Sequence, residues 1–175
     1  MSTLTNPIRQ KLPAKLINGA FCQVGWFVCL FGGDIAALLF LVLTLFFHQH
    51  FIVEKSGEWL LIAAVTILGF VLDSTLTVAG FFQFEVASLS FIPLWLVCLW
   101  CIFATTLCHS MSWFHERLWL ASLMGGLAGA SSYFAGHRLG AVSIAEPLSQ
   151  SLFTVGLCWA VLFPTFIYFS RKVIR

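Results

Sequence analysis

Residues 59–82 read WLLIAAVTILGFVLDSTLTVAGFF, an apolar run that contains a single acid, Asp73. A helix of about 24 residues rises about 36 Å, and the hydrocarbon core of a bilayer is about 30 Å thick. A carboxylic acid at that depth is costly unless it has a partner, a proton or water. This stretch therefore predicts a transmembrane helix in which Asp73 is either the functional centre or a polar joint between helices.

The composition of the chain favours one class of protein. Of its 175 residues, 60% are hydrophobic and 9% are charged, whereas soluble domains carry about 25% charged residues. The polar surface is too small to cover a water-soluble particle. The sequence thus predicts a single transmembrane domain over residues 1–175. It has no basic cluster large enough for nucleic acid, and no nucleic-acid partner is expected.

Apolar segments along the chain predict an all-α, polytopic bundle of six transmembrane helices. The segments are 16–31, 35–51, 59–82, 91–110, 119–136 and 149–169. The first two form one continuous apolar run, divided by Gly32, Gly33 and Asp34. Two glycines permit a tight turn, and Asp34 is expected to cap the helix that follows.

The basic residues predict the orientation of the bundle. If the N-terminus is cytoplasmic, eight of the nine Lys and Arg residues lie on the cytoplasmic side. Those eight are Arg9, Lys11, Lys15, Lys55, Arg117, Arg171, Lys172 and Arg175. Only Arg138 falls outside. We therefore expect both termini in the cytoplasm, an uncleaved first helix and a short cytoplasmic N-terminal segment, 1–15.

Helical spacing places Asp73 on a polar face of the third segment. Residues at intervals of three and four share this face, and they are Thr66, Gly69, Asp73, Thr77 and Gly80. The face is expected to point into the bundle. Asp73 is then either a proton carrier, cation ligand or substrate-binding acid, or a hydrogen-bonded acid that locks the helices together.

A second polar group is predicted in the cytoplasmic half of the membrane. Asn18 and Gln23 of the first segment and Thr106 and His109 of the fourth fall at similar depth by this threading. They form either a polar pocket or separate interhelical hydrogen bonds, which are common in membrane bundles.

The fifth segment has the pattern of a packing helix. Small residues recur every three or four positions, at Gly125, Gly129, Ser132 and Gly136, and such spacing lets helices approach closely. Near its outer end lie Tyr133, His137 and Arg138. Arg138 or His137 is a candidate partner for Asp73, through Tyr133.

The remaining reactive residue types predict no cofactor and no metal site. The Cys98-x-x-Cys101 pair lacks two further close ligands, and cysteine is an ordinary small apolar residue in a buried helix. His48, His50 and His115 are expected to be solvated near the cytoplasmic interface. The sequence contains no recognised catalytic motif, so catalytic residues are unknown.

An ordered set of motifs resembles a known family. The set is Asn18, Gln23-Val-Gly-Trp26-Phe27, Leu72-Asp73-Ser74, Pro93-Leu94-Trp95, Leu99-Trp100, Phe103-Ala104-Thr105-Thr106-Leu107, His109-Ser110, Trp113, Ser132-Tyr133-x-x-Gly136 and Leu139-Gly140-Ala141. Together these resemble a family of small bacterial inner-membrane proteins catalogued as a domain of unknown function. The resemblance covers nearly the whole chain. It implies a bacterial inner-membrane location and a link to membrane-lipid modification, but no activity and no residue roles.

Three functions are open on this sequence. The favoured hypothesis is a non-enzymatic subunit that binds membrane lipids or docks a lipid-modifying enzyme. The second is a small transporter or channel with Asp73 on the path, for which a homodimer would provide room. The third is an intramembrane lipid-modifying enzyme that uses Asp73 or His109 as acid or base.

Overall fold

A computed structural model describes residues 12–84 and 91–175. Most of the predicted N-terminal segment, residues 1–11, lies outside this part of the chain. The described residues form five α-helices: α1 Leu12–Phe47, α2 Gly57–Val78, α3 Leu94–Ala104, α4 Leu118–Arg138 and α5 Leu148–Ile174. The all-α fold class is confirmed. Two strands, β1 Phe82–Gln83 and β2 Ser143–Ile144, add a small antiparallel sheet that the sequence did not predict.

Helix α1 is a helical hairpin. Gly33 has φ 68° and ψ −170°, so the helical path breaks there, at the predicted turn. The ring of Phe21 stacks on that of Phe47 at 4.8 Å, which makes 12–32 and 34–47 antiparallel. The capping prediction for Asp34 is wrong. Its carboxylate accepts the Trp95 N–H at 2.9 Å, because the N-terminus of α3 presents free N–H groups and has no side-chain cap of its own.

Helix α3 is much shorter than the predicted segment 91–110. It ends at Ala104, where the Thr105 and Thr106 hydroxyls donate to the carbonyls of Ile102 and Phe103 at 2.7 and 2.6 Å. Such bonds compete with the main chain for the last carbonyls of a helix. At about 16 Å, α3 alone is too short to cross a bilayer. The chain continues through turns and a 3₁₀ helix, Ser112–Phe114.

Helices α4 and α5 pack through the small residues of α4, as predicted. A Cβ at Gly129 would overlap the indole of Trp159, and a Cβ at Gly125 would lie 2.7 Å from Phe163. Ser132 accepts a hydrogen bond from Trp26 Nε1 at 3.0 Å and so links α4 to α1. Close backbone approach at glycine is what allows large aromatic side chains to fill this interface.

The connections divide the molecule into two ends. At the first, which we call the Glu58 end, Lys15 donates to Ser112 at 2.8 Å and Arg171 donates to the His115 carbonyl at 3.1 Å. The other, the Gly33 end, holds the hairpin turn and the start of α3. It also holds the sheet, where Phe82 pairs with Ile144 and Gln83 with Ser143. Successive helices therefore run in opposite directions between the two ends.

The outer surface carries many exposed large apolar side chains. On α1 they include Leu16, Phe31, Ile35 and Leu39, each more than half exposed. Within the described residues, three helical stretches are long and apolar enough to span a membrane: Ala14–Ile52, Gly57–Val78 and Leu148–Ile174. An apolar surface of this extent is typical of contact with lipid rather than water.

Candidate functional site

Helix α2 buries two acids. Glu58, in its first turn, is 1% exposed, and Asp73 is 0% exposed. The two residues are 15 positions apart, which corresponds to about 22 Å along the helix. Each acid therefore has its own surroundings.

Two aromatic donors bind the carboxylate of Asp73. Trp100 Nε1 donates to Oδ2 at 2.7 Å, and the Tyr133 hydroxyl lies 2.7 Å from both carboxylate oxygens. We call these three residues the Asp73 cluster. The sequence singled out Tyr133 as the intermediary near Asp73, whereas Trp100 was not foreseen as a partner.

Glycines make room for the aromatic rings of this cluster. Gly69, one turn before Asp73, lies against the indole of Trp100, which a Cβ would overlap. On its other face Trp100 stacks on Trp159, with centroids 5.0 Å apart and planes 10° from parallel. Gly129 in turn accommodates Trp159. The predicted polar face of α2 thus points inward. Gly69 on this face allows the close approach of α3.

The predicted pairing of Asp73 with Arg138 or His137 is wrong. Arg138 is exposed, and His137 Nδ1 lies 3.2 Å from the Val142 carbonyl and 3.3 Å from Ile144 N. The loop that carries β2 packs over His137 and places the Val142 carbonyl and the Ile144 N–H next to its ring. Asp73 is satisfied instead by donors from α3 and α4.

An apolar cavity of about 120 Å³ borders the Asp73 cluster. It lies between the first half of α1, α3 and α4, near the Gly33 end. Its walls include Trp26, Leu30, Leu99, Phe103 and Gly136, and the ring of Tyr133 closes one side. The cavity can therefore receive an apolar group next to one buried polar cluster.

The second acid, Glu58, joins two histidines. Its Oε1 accepts the N–H groups of Glu54 and Lys55 at 2.9 and 3.0 Å. Its Oε2 lies 2.6 Å from His109 Nε2 and 3.5 Å from His48 Nε2. We call Glu58, His48 and His109 the Glu58 cluster. All three side chains are buried.

The expectation that His48 and His115 are solvated is wrong. The chain forms a π-helical turn, His48–Ile52, at the end of α1, and His48 Nε2 lies 3.5 Å from Glu58 in the first turn of α2. Such π turns occur frequently at functional sites. His115 is also buried, with Nε2 3.0 Å from Ser170 Oγ. His50 is exposed, as expected.

The predicted pocket of Asn18, Gln23, Thr106 and His109 is not formed. Asn18 accepts the Ser110 N–H at 3.3 Å, and Gln23 is exposed. Asn18 and Gln23 are five positions apart, which puts them on different faces of a helix. Thr106 bonds within its own turn, and His109 turns to Glu58. The alternative of separate interhelical hydrogen bonds describes Asn18 better.

The Glu58 cluster has a geometry that could hold a metal ion. One ligand atom from each residue lies within 4.8 Å of the other two, and imidazole and carboxylate are common metal ligands. A cavity of about 140 Å³ adjoins His109 and is also lined by Lys15, Glu54 and Ser112. Sequence reasoning missed Glu58 and His48. By the predicted threading, both residues lie near the same side of the membrane as His109, and this was the feature of the sequence that could have indicated the cluster.

An apolar outer surface, long apolar helices and a few polar clusters between helices define an integral membrane protein. The chain belongs to DUF2878, a family of proteins of unknown function, whose family model matches residues 15–165. This confirms the resemblance found in the sequence. No curated protein and no solved structure matches the chain.

Proposed function

We propose that this protein binds the acyl chain of a membrane lipid in the apolar cavity beside the Asp73 cluster. The observation that carries the proposal is the cavity itself, with its apolar and aromatic walls and one buried polar group at its side. Ligand sites commonly combine predominantly apolar walls with a few placed polar groups.

The size and position of the cavity fit part of a lipid tail. Its volume of about 120 Å³ approaches that of engineered cavities of about 150 Å³ that bind benzene. It therefore accommodates a short run of methylene groups, with the polar head of the lipid outside. Because the cavity lies near the Gly33 end, the lipid comes from the leaflet at that end.

We further propose six membrane crossings with both termini in the cytoplasm of a bacterium. The hairpin at Gly33 and the alternating direction of the later helices support this threading. The Glu58 end then faces the cytoplasm, which agrees with the eight basic residues assigned to that side. The short α3 crosses together with the turns that follow it.

Reporter fusions test this topology. Green fluorescent protein fused after Arg175 should fluoresce, and alkaline phosphatase fused after Gln83 should be active, because these positions are on opposite sides. Inactive phosphatase at Gln83 beside fluorescence at Arg175 would contradict the six-crossing arrangement.

The surroundings of Asp73 favour lipid binding over the two alternatives. Asp73 is fully enclosed by Trp100, Tyr133 and the close contact at Gly69, which is unlike a residue on a transport path. Asp73 and His109 belong to separate clusters, so they do not form one acid–base site. Docking of a lipid-modifying enzyme and homodimer formation remain hypotheses from the sequence.

A cavity-filling variant tests lipid binding. Gly136→Leu places a side chain in the cavity, since a Cβ at Gly136 meets Val142 only at ordinary contact distance, 3.6 Å. Ala128→Leu adds the same side chain to an exposed position of α4 and serves as the matched control. Native mass spectrometry after mild detergent extraction should show a retained lipid in wild type and Ala128→Leu, and little in Gly136→Leu. Equal retention in all three proteins would overturn the proposal.

A further inference from the structure

His48 is the least satisfied side chain of the Glu58 cluster. It is 1% exposed, and within the described residues neither ring nitrogen has a hydrogen-bond partner. A buried polar group without a partner is destabilising, and such groups are rare in native proteins. His48 Nε2 lies 3.5 Å from Glu58 Oε2, beyond the usual hydrogen-bond range of about 2.7–3.2 Å.

That distance suits two ligands of one metal ion. His48 Nε2 and Glu58 Oε2 are 3.5 Å apart. With metal–ligand bonds of about 2.0–2.1 Å, neighbouring ligands of a tetrahedral ion are about 3.4 Å apart. His109 Nε2, now 2.6 Å from the same oxygen, would need to move by less than about 1 Å. All three ligand atoms lie within 4.8 Å of one another, so the cluster is close to a coordinating geometry.

The neighbours of the cluster also resemble those of a metal site. The second oxygen of Glu58 is fixed by the N–H groups of Glu54 and Lys55, in the way that outer hydrogen bonds orient metal ligands. A cavity of about 140 Å³ is lined by His109 and gives a small ligand or ion space next to this residue. Three protein ligands with one open position are typical of catalytic rather than structural zinc sites.

We propose that Glu58, His48 and His109 bind a divalent transition-metal ion. Two imidazoles and one carboxylate favour an ion such as Zn²⁺ or Fe²⁺ over Mg²⁺ or Ca²⁺, which prefer all-oxygen ligands. The site is independent of the lipid cavity, because it belongs to the other end of α2. The competing explanation is a purely structural Glu58–His109 pair, in which His48 has no role.

Metal content of the purified protein distinguishes these explanations. Zn²⁺ is added to chelator-free protein, unbound metal is removed, and bound metal is measured by mass spectrometry. We expect about one ion per chain in wild type and about a tenfold lower affinity or worse in His48→Gln. His50→Gln is the matched control, because His50 is exposed two residues away and should retain the ion.

The wild-type protein provides a second readout that needs no variant. Zn²⁺ should raise its midpoint of thermal unfolding, and a chelator should reverse the rise, because an ion that binds only the folded state stabilises it. Co²⁺ as a probe should give visible absorption bands in wild type and His50→Gln. His48→Gln should fold, since His48 has no hydrogen bond to lose.

Several results would overturn the metal site. The first is a metal content of wild type no higher than background. The second is a midpoint of thermal unfolding that Zn²⁺ does not change. The third is the same metal content in wild type and His48→Gln. Equal loss in His48→Gln and His50→Gln would also count against it, because it would indicate general binding by surface histidines. A lipid result of either sign leaves this test unaffected.

Discussion

The two acids of α2 show how the same group serves different chemistry. Asp73 is held by an indole and a phenol, and a neutral apolar cavity lies beside it. Glu58 is held by backbone N–H groups and an imidazole, and its cavity includes charged residues. Trp can only donate, whereas an imidazole can donate, accept a proton or ligate a metal. The partners rather than the carboxylates therefore distinguish an aromatic packing cluster at Asp73 from a cluster of metal-ligand types at Glu58.

Truncation of Glu58 should have the largest effect. Glu58→Ala removes the partner of two partly buried backbone N–H groups and of the buried His109. A buried polar group that loses its hydrogen-bond partner typically costs about 1–3 kcal/mol, and three groups lose theirs here. We expect the midpoint of thermal unfolding in mild detergent to fall accordingly, measured with chelator present so that metal makes no contribution.

Glu54→Ala is the control for that experiment. The Glu54 side chain is exposed, and only its backbone N–H contacts Glu58. It should unfold close to the wild-type temperature. If the two alanine variants unfolded at the same temperature, Glu58 would not be the anchor of this end.

Enlargement of Gly69 should disrupt the Asp73 cluster alone. The side chain of Gly69→Val would overlap the Trp100 indole, and overpacking costs about 1–3 kcal/mol. Ala64→Val makes a similar change on the exposed side of α2 and should cost less than about 1 kcal/mol. Thermal unfolding of both variants measures the difference. If Gly69→Val were also the variant that lost bound metal, the two ends would not be independent.

Removal of one donor from Asp73 should have a smaller effect. Tyr133→Phe takes the hydroxyl from both carboxylate oxygens but leaves the Trp100 bond. Because Asp73 keeps one donor, the loss is that of a single hydrogen bond, about 0.5–1.5 kcal/mol. The matched control is Tyr168→Phe, the same change at the exposed second tyrosine. Thermal unfolding should separate the two variants, and equal midpoints would show that the Tyr133 hydroxyl contributes nothing to stability.

A double-mutant cycle sharpens the Tyr133 result. Asp73→Asn and Tyr133→Phe should be strongly non-additive, because both alter one hydrogen-bonded unit. Additive effects would mean that the hydroxyl stabilises the fold through other contacts, and the Asp73 cluster would then lose its physical basis.

Much of the Asp73 cluster follows from sequence, because its pattern is local. The spacing of Gly69 and Asp73 gives the inward face of α2, and the small residues of α4 indicate a close neighbour. Trp100 was not predicted as a partner of Asp73, because an apolar segment does not indicate which of its indoles faces the bundle interior. The hairpin at Gly33 was predictable for a similar local reason, since only a glycine turn divides so long an apolar run.

The Glu58 cluster could not be predicted in the same way. Its residues come from a π turn, the start of a helix and the turns after α3. No periodicity connects three such segments, and the early end of α3 at Ala104 decides where His109 points. The pairing of β1 with β2 depends equally on tertiary contacts, which is why the position of His137 was missed.

His115 is a buried imidazole whose Nε2 lies next to the Leu107 carbonyl and the Ser170 hydroxyl rather than a carboxylate. We expect the smallest change in stability from its replacement. Burial lowers the pKa of His115 below its usual 6.5, and the nearby Arg171 adds to this. When the pH falls through 6.5, the unfolded chain takes up the proton first, so this stability is present above that pH and is lost below it. Between about pH 7.5 and about pH 5.5, wild type should therefore lose more stability than His115→Gln, while His50→Gln should follow wild type. Parallel curves for wild type and His115→Gln would show that the burial of His115 does not contribute to the acid sensitivity of the fold.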